Sequence, residues 1–561
     1  VVSWQLLNET DDGPLFRHAV ETLPLVRSLD DTRLVLLSSG RFDGDFSIGT
    51  VSNPDSREWE PMWGKESPQG GRTARKYPSG VGSGDFHFYP IFPMTRESKQ
   101  LLRTLGQNTK PVFLSEYGIG SLMDVIQDAL RYEQIRARPD LEDFKFMREM
   151  ADGLASDWKR YGMEGVYAFP EDMLVDSQRR MARHRLAGFN LVRSNPNLCG
   201  FNVTGMLDHA MTGEGVWGFW RNFKPGAMDV MQDGWWPLRW CLFVDSTHNY
   251  VGRSFEVEAV LATEDVLDPG RYPARFHISG PRGNAWEKRA LVEIPTPSAQ
   301  AEMPFAVPVL KDQVTLDVPT GSYELVADLE EGGAPLGRSW QFYLTDPAGF
   351  PAINQSVVVW GVDAKAQDWL KSRGVTCFPF GGGAPEGREV ILVGNPPEGE
   401  SKTDKWKDLA IRIARGGTAV FLSHAAFQRG KDPVGWLPLS TKGRCYYFVD
   451  HLYHKECVAK AHPIFEGLQS TSILDWYYYG QLIPHFVFDG QSAPDEVIAA
   501  SFAVGYGVPD IAPGYSSGIL MSRYSLGSGE FILNTFPVLD ELDNNPAADL
   551  MLLNMIHYSA R

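Results

Sequence analysis

At 561 residues the chain is long enough for several domains, because single hydrophobic cores stop growing at roughly 250–300 residues. Its formal net charge of −17 repels polyanions, so nucleic acid is excluded as a favoured partner. No apolar run approaches the ~20 residues of a membrane span, and the five cysteines, Cys199, Cys241, Cys377, Cys445 and Cys457, are scattered without CxxC pairing, which argues for isolated buried thiols rather than a zinc site or disulfide framework.

Aromatic residues make up 12 % of the chain, with sixteen Trp and twenty Tyr. Aromatic faces stack on apolar bodies that carry polar rims, which suits a sugar-like ligand; large cores account equally for the same composition.

From Val1 to Gly234 short apolar runs alternate with amphipathic stretches. VVSWQLL (1–7), RLVLLSS (33–39), DFHFYP (85–90), KPVFLSE (110–116) and LCGFNVTG (198–205) predict strands. Between the last two, LMDVIQDALRYEQIRA, LEDFKFMREMADGLASDWKRYG and PEDMLVDSQRRMARHRLAGFNLVRS predict helices, the third opened by Pro170-Glu171-Asp172. Strand, helix, strand order implies parallel βα units.

From Trp235 to Asp346 the period changes to two. SFEVEAVLAT, RYPARFHISG, KRALVEIP, QVTLDVP, SYELVADLE and RSWQFYLTD alternate apolar and polar residues between turn residues, as in an antiparallel sandwich. From Pro351 to Arg561 the apolar runs QSVVVWG, REVILVG and GTAVFLSH are separated by helical patterns, which predicts a doubly wound α/β domain. The expected domains are therefore 1–234, 235–346 and 351–561.

Parallel βα units carry their working residues at the C-terminal ends of the strands. The first strand ends in Asn8-Glu9, the third carries His87, Tyr89 and Pro90, the fourth ends in Ser115-Glu116-Tyr117-Gly118, and the fifth offers Asn202 and Thr204, followed by Asp208. Two glutamates at two strand tips can face each other across one mouth. Facing carboxylates are what glycoside hydrolysis needs: one protonated to serve the leaving oxygen, one ionised to attack the anomeric carbon. Each residue also has a plainer reading. A glutamate after a strand is often a loop or cap residue, His87 suits a hydrogen-bonded structural histidine, and Tyr89 suits packing.

The order of these motifs resembles the retaining glycoside hydrolases of the (β/α)8 clan that includes β-galactosidases, β-glucuronidases and β-mannosidases, most closely glycoside hydrolase family 2. LLNET matches the Asn-Glu that ends the fourth barrel strand in that family. DDTRLV resembles the opening of the fifth strand, HFYP the end of the sixth, PVFLSEYG the nucleophile strand, and GFWRNFKPGA the Lys-Pro segment after the eighth. The resemblance spans residues 1–245. It implies Glu9 as acid/base, Glu116 as nucleophile, and Asn8, His87 and Tyr89 as substrate-positioning residues; Asn202, at the fifth strand tip, and Trp217, in the loop beyond it, are further candidates for sugar binding. No metal or organic cofactor is implied.

It also implies the fold: the C-terminal part of a (β/α)8 TIM barrel (strands four to eight), then an immunoglobulin-like β-sandwich, then a doubly wound, flavodoxin- or amidotransferase-like α/β domain. A chain that starts at strand four needs the missing half of the barrel, so a second polypeptide carrying it and upstream sandwich domains is expected as partner, beside the carbohydrate substrate. A homo-oligomer is allowed, and a secreted or periplasmic location is favoured should the upstream segment carry a signal peptide.

The sequence departs from the family at the end of strand eight, where FNVTGMLDH stands for the usual Trp; Trp217 or Trp220 either replaces it or packs. Asn222-Phe223-Lys224 has the spacing with which glucuronidases hold a carboxylate, and coincides with the ordinary Lys-Pro segment. Trp59 and Trp63, in the long stretch from Gly40 to Gly84, read either as a sugar platform or as pins of a surface loop. In the C-terminal region the strand before Ser423-His424 lacks the Cys and the elbow glycines of an acyl-transfer nucleophile, so this domain is expected to be non-catalytic. The expected activity is retaining hydrolysis of terminal β-linked sugars, with carboxyl groups ~5–5.5 Å apart; the alternative is a degenerate glycan-binding or scaffold subunit.

Overall fold

The computed structural model describes residues 3–10, 13–39, 51–52, 85–107, 112–298, 304–382, 388–396, 403–428, 439–448, 455–507 and 512–561. Trp59 and Trp63 lie outside these residues.

The chain opens with strand β1 (Ser3–Asn8), helix α1 (Pro14–Leu29) and strand β2 (Leu34–Ser39). The strands pair in parallel, with Asn8 opposite Ser39. Phe16, Ala19 and Leu23 of α1 are buried at helical spacing, on Val35 and Leu37 of β2. The sequence reading named no helix here; Pro24 falls inside it, and an interior proline removes a backbone donor that helices ordinarily use. The DDTRLV segment starts β2 as a side-chain-locked turn. Asp30 accepts from the Thr32 amide at 3.0 Å, from Trp4 Nε1 at 2.8 Å and from Arg33 at 2.6 Å. The bonds from Thr32 and Trp4 hold its carboxyl well below the usual carboxylate range.

A second parallel sheet contains β3 (Asp85–Phe88), β4 (Val112–Tyr117) and β5 (Leu198–Val203), in that order. All five strands fall where the apolar runs predict them. Between β3 and β4 lies an unforeseen helix α2 (Arg96–Thr104), capped by the Thr95 hydroxyl. Helices α3 (Val125–Gln134), α4 (Glu142–Tyr161) and α5 (Pro170–Arg193) follow β4, with Pro170 at the first position of α5 and left-handed Gly162 ending α4.

Helix α5 is buried on most of its surface, and its polar side chains are bonded to what surrounds it. Ser177 Oγ donates to Glu456 Oε1 at 2.7 Å, and Arg180 donates to the Leu474 carbonyl at 2.7 Å. Arg183 reaches Gln341 Oε1 at 3.1 Å, and Asn190 the Leu242 carbonyl at 2.9 Å. One helix thus contacts each of the regions that follow it.

After helix α6 (Ala227–Gly234) the chain forms two facing sheets. One contains β6 (Leu238–Asp245), β8 (Ser254–Thr263) and β11 (Ala306–Thr315); the other contains β7 (His248–Tyr250), β9 (Gly270–Gly280), β10 (Gly283–Ile294), β12 (Gly321–Leu329) and β13 (Ser339–Thr345). Their inner faces meet through Phe255 on Phe342 and Trp240 on Phe276, with centroids 5.5 and 5.2 Å apart. β11 begins earlier than the QVTLDVP run suggests.

The C-terminal region holds one large mixed sheet. Thr376–Pro379, Ser356–Trp360, Val390–Val393, Thr418–Phe421 and Gly529–Asn534 are parallel neighbours; Ala512–Leu526, Glu496–Gly507, Lys455–Ala459 and Ser472–Ile473 extend the sheet antiparallel. The expectation of a doubly wound sheet is corrected for this second half. Its long strands pair directly with their neighbours and need no crossover helix. All five cysteines are free, and Cys199, expected to be buried, is exposed. Among the described residues no helix is long and apolar enough to cross a membrane.

Candidate active site

The C-terminal ends of β1, β2, β3 and β4 bring their side chains to one place. Glu9 directly follows β1, and its amide donates to the Ser39 carbonyl at 2.7 Å. Its φ of 47° lies in the left-handed region, a conformation that costs a non-glycine residue on the order of 1–3 kcal/mol and recurs at functional sites.

β3 and β4 meet with a register shift. Phe86 stands opposite Leu114, but the next residue, His87, stands opposite Glu116. The extra residue, Ser115, is a β-bulge, which re-aims side chains beside it. Without it His87 would face Ser115. With it, His87 Nδ1 lies 2.7 Å from Glu9 Oε1 and 3.1 Å from Glu116 Oε2. His87 is buried, with both carboxylates partly accessible above it.

The other ring nitrogen, Nε2, lies 2.9 Å from Ser39 Oγ, which is in turn 2.9 Å from Ser115 Oγ. Two serines, one from each parallel sheet, therefore form a hydrogen-bonded chain that ends on the histidine. Tyr89, one residue beyond β3, donates its hydroxyl to Glu116 Oε2 at 2.5 Å and lies 3.4 Å from Thr204 Oγ1. Burial pushes the Tyr89 phenol far up, and donation to Glu116 pushes it further, so it remains a hydrogen-bond donor.

One acceptor or donor atom each from Glu9, His87 and Glu116 fits within a span of 4.8 Å. The same histidine nitrogen and two carboxylate oxygens form a set that a divalent cation could take.

Of the residues expected at the site, Glu9, His87, Tyr89 and Glu116 form this cluster. Asn202 flanks it, donating from Nδ2 to the Ser115 carbonyl at 3.2 Å. Asn8 is exposed, and its Oδ1 accepts from Gln5 Nε2 at 2.9 Å. Trp217 stacks edge-on against Phe223 at 5.5 Å in the loop after β5, while Trp220 packs against Tyr132 at 4.9 Å, as an ordinary packing residue does.

Lys224 is fully buried. Its Nζ lies 2.8 Å from Asp208 Oδ1 and 2.6 Å from the Gly213 carbonyl, so it ties the loop together and does not present its charge to a ligand. The Asn-x-Lys spacing therefore carries no acid-sugar recognition. Ser423 Oγ donates to Asn395 Oδ1 at 2.6 Å, and His424 stacks on Phe486.

The sequence reading missed Ser39 and passed over Ser115. Both look like unremarkable strand-end serines; only the fold, which sets the end of β2 beside the ends of β3 and β4, shows that they meet at His87.

No family model matches this chain, and no curated protein matches it. Among solved structures, the endo-beta-1,4-mannanase from Thermotoga petrophila aligns at 13 % identity over 62 % of this chain and 65 % of its own, with a TM-score of 0.22. A CARDB domain from Pyrococcus furiosus aligns at 14 % identity over 19 % of this chain and 93 % of its own, with a TM-score of 0.15. Salmonella alpha-2-macroglobulin aligns at 16 % identity over 21 % of this chain and 7 % of its own, again with a TM-score of 0.15. Likenesses this slight identify neither a fold nor an activity.

Proposed function

We propose that the chain is the catalytic part of a retaining β-glycosidase acting on terminal β-linked sugars. The observation that carries this reading is the approach of Glu9 and Glu116 from two separate strand ends, within 4.8 Å, across His87. In this reading the five parallel strands correspond to strands four to eight of a (β/α)8 barrel. The facing sheets are the immunoglobulin-like sandwich behind it, and the C-terminal α/β region is a non-catalytic, amidotransferase-like domain.

Glu9, protonated, gives its proton to the glycosidic oxygen as the bond to the anomeric carbon breaks. Glu116 attacks that carbon from the opposite face and forms a glycosyl ester. Tyr89 fixes the Glu116 carboxylate through its 2.5 Å bond, and His87 keeps both carboxylates at one separation. Glu9, now ionised, takes a proton from water as that water attacks the anomeric carbon, the bond from that carbon to Glu116 breaks, and the sugar leaves with its configuration retained.

A panel of 2-deoxy-2-fluoro-β-glycosyl fluorides tests this. Intact-mass spectrometry should show one sugar added, peptide mapping should place it on Glu116, and Glu116→Gln should abolish it. If the folded protein binds glycans but no probe labels it, the glycosidase reading falls, and a degenerate glycan-binding or scaffold subunit takes its place.

A further inference from the structure

Glu214 lies in the loop after β5 and is buried, with only 2 % of its surface exposed. No motif picks it out. Its backbone is fixed on both sides. The Gly213 carbonyl accepts from Lys224 at 2.6 Å, the Gly215 amide donates to Asp208 at 2.7 Å, and the Glu214 carbonyl accepts from Arg185.

The side chain reaches back to the cluster. A Cβ built on Gly118 would stand 2.5 Å from Glu214 Oε2 and 2.7 Å from both Cδ1 and Cε1 of Tyr89. The carboxylate and the edge of the phenol ring thus press on the same bare Cα. A Cβ on Gly205, whose φ is 80°, would stand 2.2 Å from Glu214 Cγ. Two glycines clear the path of this one side chain. Both groups sit over Gly118, so the Glu214 side chain bounds the space open to the Tyr89 ring. The negative charge of Glu214 also adds to that of Glu116 in keeping the Tyr89 phenol protonated.

The geometry points to Glu214 as a positioning residue that seats Tyr89, through its ring edge over Gly118, so that its hydroxyl stays on Glu116. This rests on the retaining-glycosidase reading and adds to it a third carboxylate that never touches the sugar.

The test is a double-mutant cycle read by the rate at which a 2-fluoro-glycosyl fluoride labels Glu116. Glu214→Gln should slow labelling about tenfold, Tyr89→Phe at least as much, and the double variant no more than twofold beyond Tyr89→Phe alone. Losses that multiply, or a Glu214→Gln rate equal to that of the wild type, overturn the proposal. If Glu214→Gln fails to fold, Gly118→Ala, which displaces the same contact, replaces it in the cycle with the same expected result. If the wild type is not labelled at all, the glycosidase reading fails on its own. Crystal structures then decide the positioning: a Tyr89 hydroxyl still bonded to Glu116 in Glu214→Gln overturns it, and a detached one supports it.

Discussion

The Tyr89 hydroxyl meets Glu116 Oε2 at 2.5 Å, joining a residue just past one strand to the tip of its neighbour. A half-buried phenol aimed at one carboxylate oxygen leaves the other oxygen to attack. Tyr89→Phe should therefore lower kcat on an aryl β-glycoside roughly a hundredfold, within the range for losing one preorganised donor, while the melting temperature changes little. Steady-state kinetics and thermal unfolding of the same preparation check both.

His87 spans the two carboxylates from a single ring nitrogen, at 2.7 and 3.1 Å. Gln in its place cannot serve both oxygens from that position with Ser39 behind it. His87→Gln should cost about 10²–10⁴ in kcat/KM, the usual scale for a group that governs proton transfer. Unchanged kcat/KM would make His87 a structural residue only.

The ligand set of Glu9, His87 and Glu116 also gives chelation a clear outcome. The proposed double displacement needs no cation, so dialysis against EDTA should leave turnover intact. Activity lost on dialysis and restored by a divalent ion would make the cluster a metal centre.

Asp208 and Lys224 are paired at 2.8 Å with their side chains almost wholly buried. Removing one partner strands the other charge. Lys224→Met alone should destabilise the fold by about 3–5 kcal/mol, and adding Asp208→Leu should recover part of that. Urea unfolding of the three proteins measures it.

The carboxyl of buried Asp128 is pushed up to about 8, first by burial and then by Asp124 and Asp208. Raised above its unfolded value, it holds a proton in the native state that the unfolded chain has already lost. Its contribution therefore falls as pH rises from about 4 to about 8 and levels off above. Between pH 6.5 and 8 it should cost up to about 1.4 kcal/mol per unit, and Asp128→Asn should remove that slope. Chemical unfolding at several pH values reads it.

The strands were legible because each apolar run is short and bounded, and Glu9, His87, Tyr89 and Glu116 were legible because each closes one. Helix α1 was hidden by Pro24, and the antiparallel half of the C-terminal sheet by pairings that no local pattern fixes. The bulge at Ser115 was not legible either. A shift of one residue between neighbouring strands leaves no mark on composition, yet it decides that His87 faces Glu116. Lys224 misled for a related reason: its spacing suggested a ligand contact, and only the fold reveals Asp208 beside it.

Helix α5 carries a mechanical consequence. Its side chains are anchored on the segment that follows β4, at Ile119 and Leu122, on the facing sheets and on the C-terminal region. None of these parts can come loose without breaking bonds to the same rod. Heating should therefore give a single calorimetric endotherm rather than stepwise melting, and a cleft built on β1 to β5 inherits the rigidity of regions that contribute none of its chemistry.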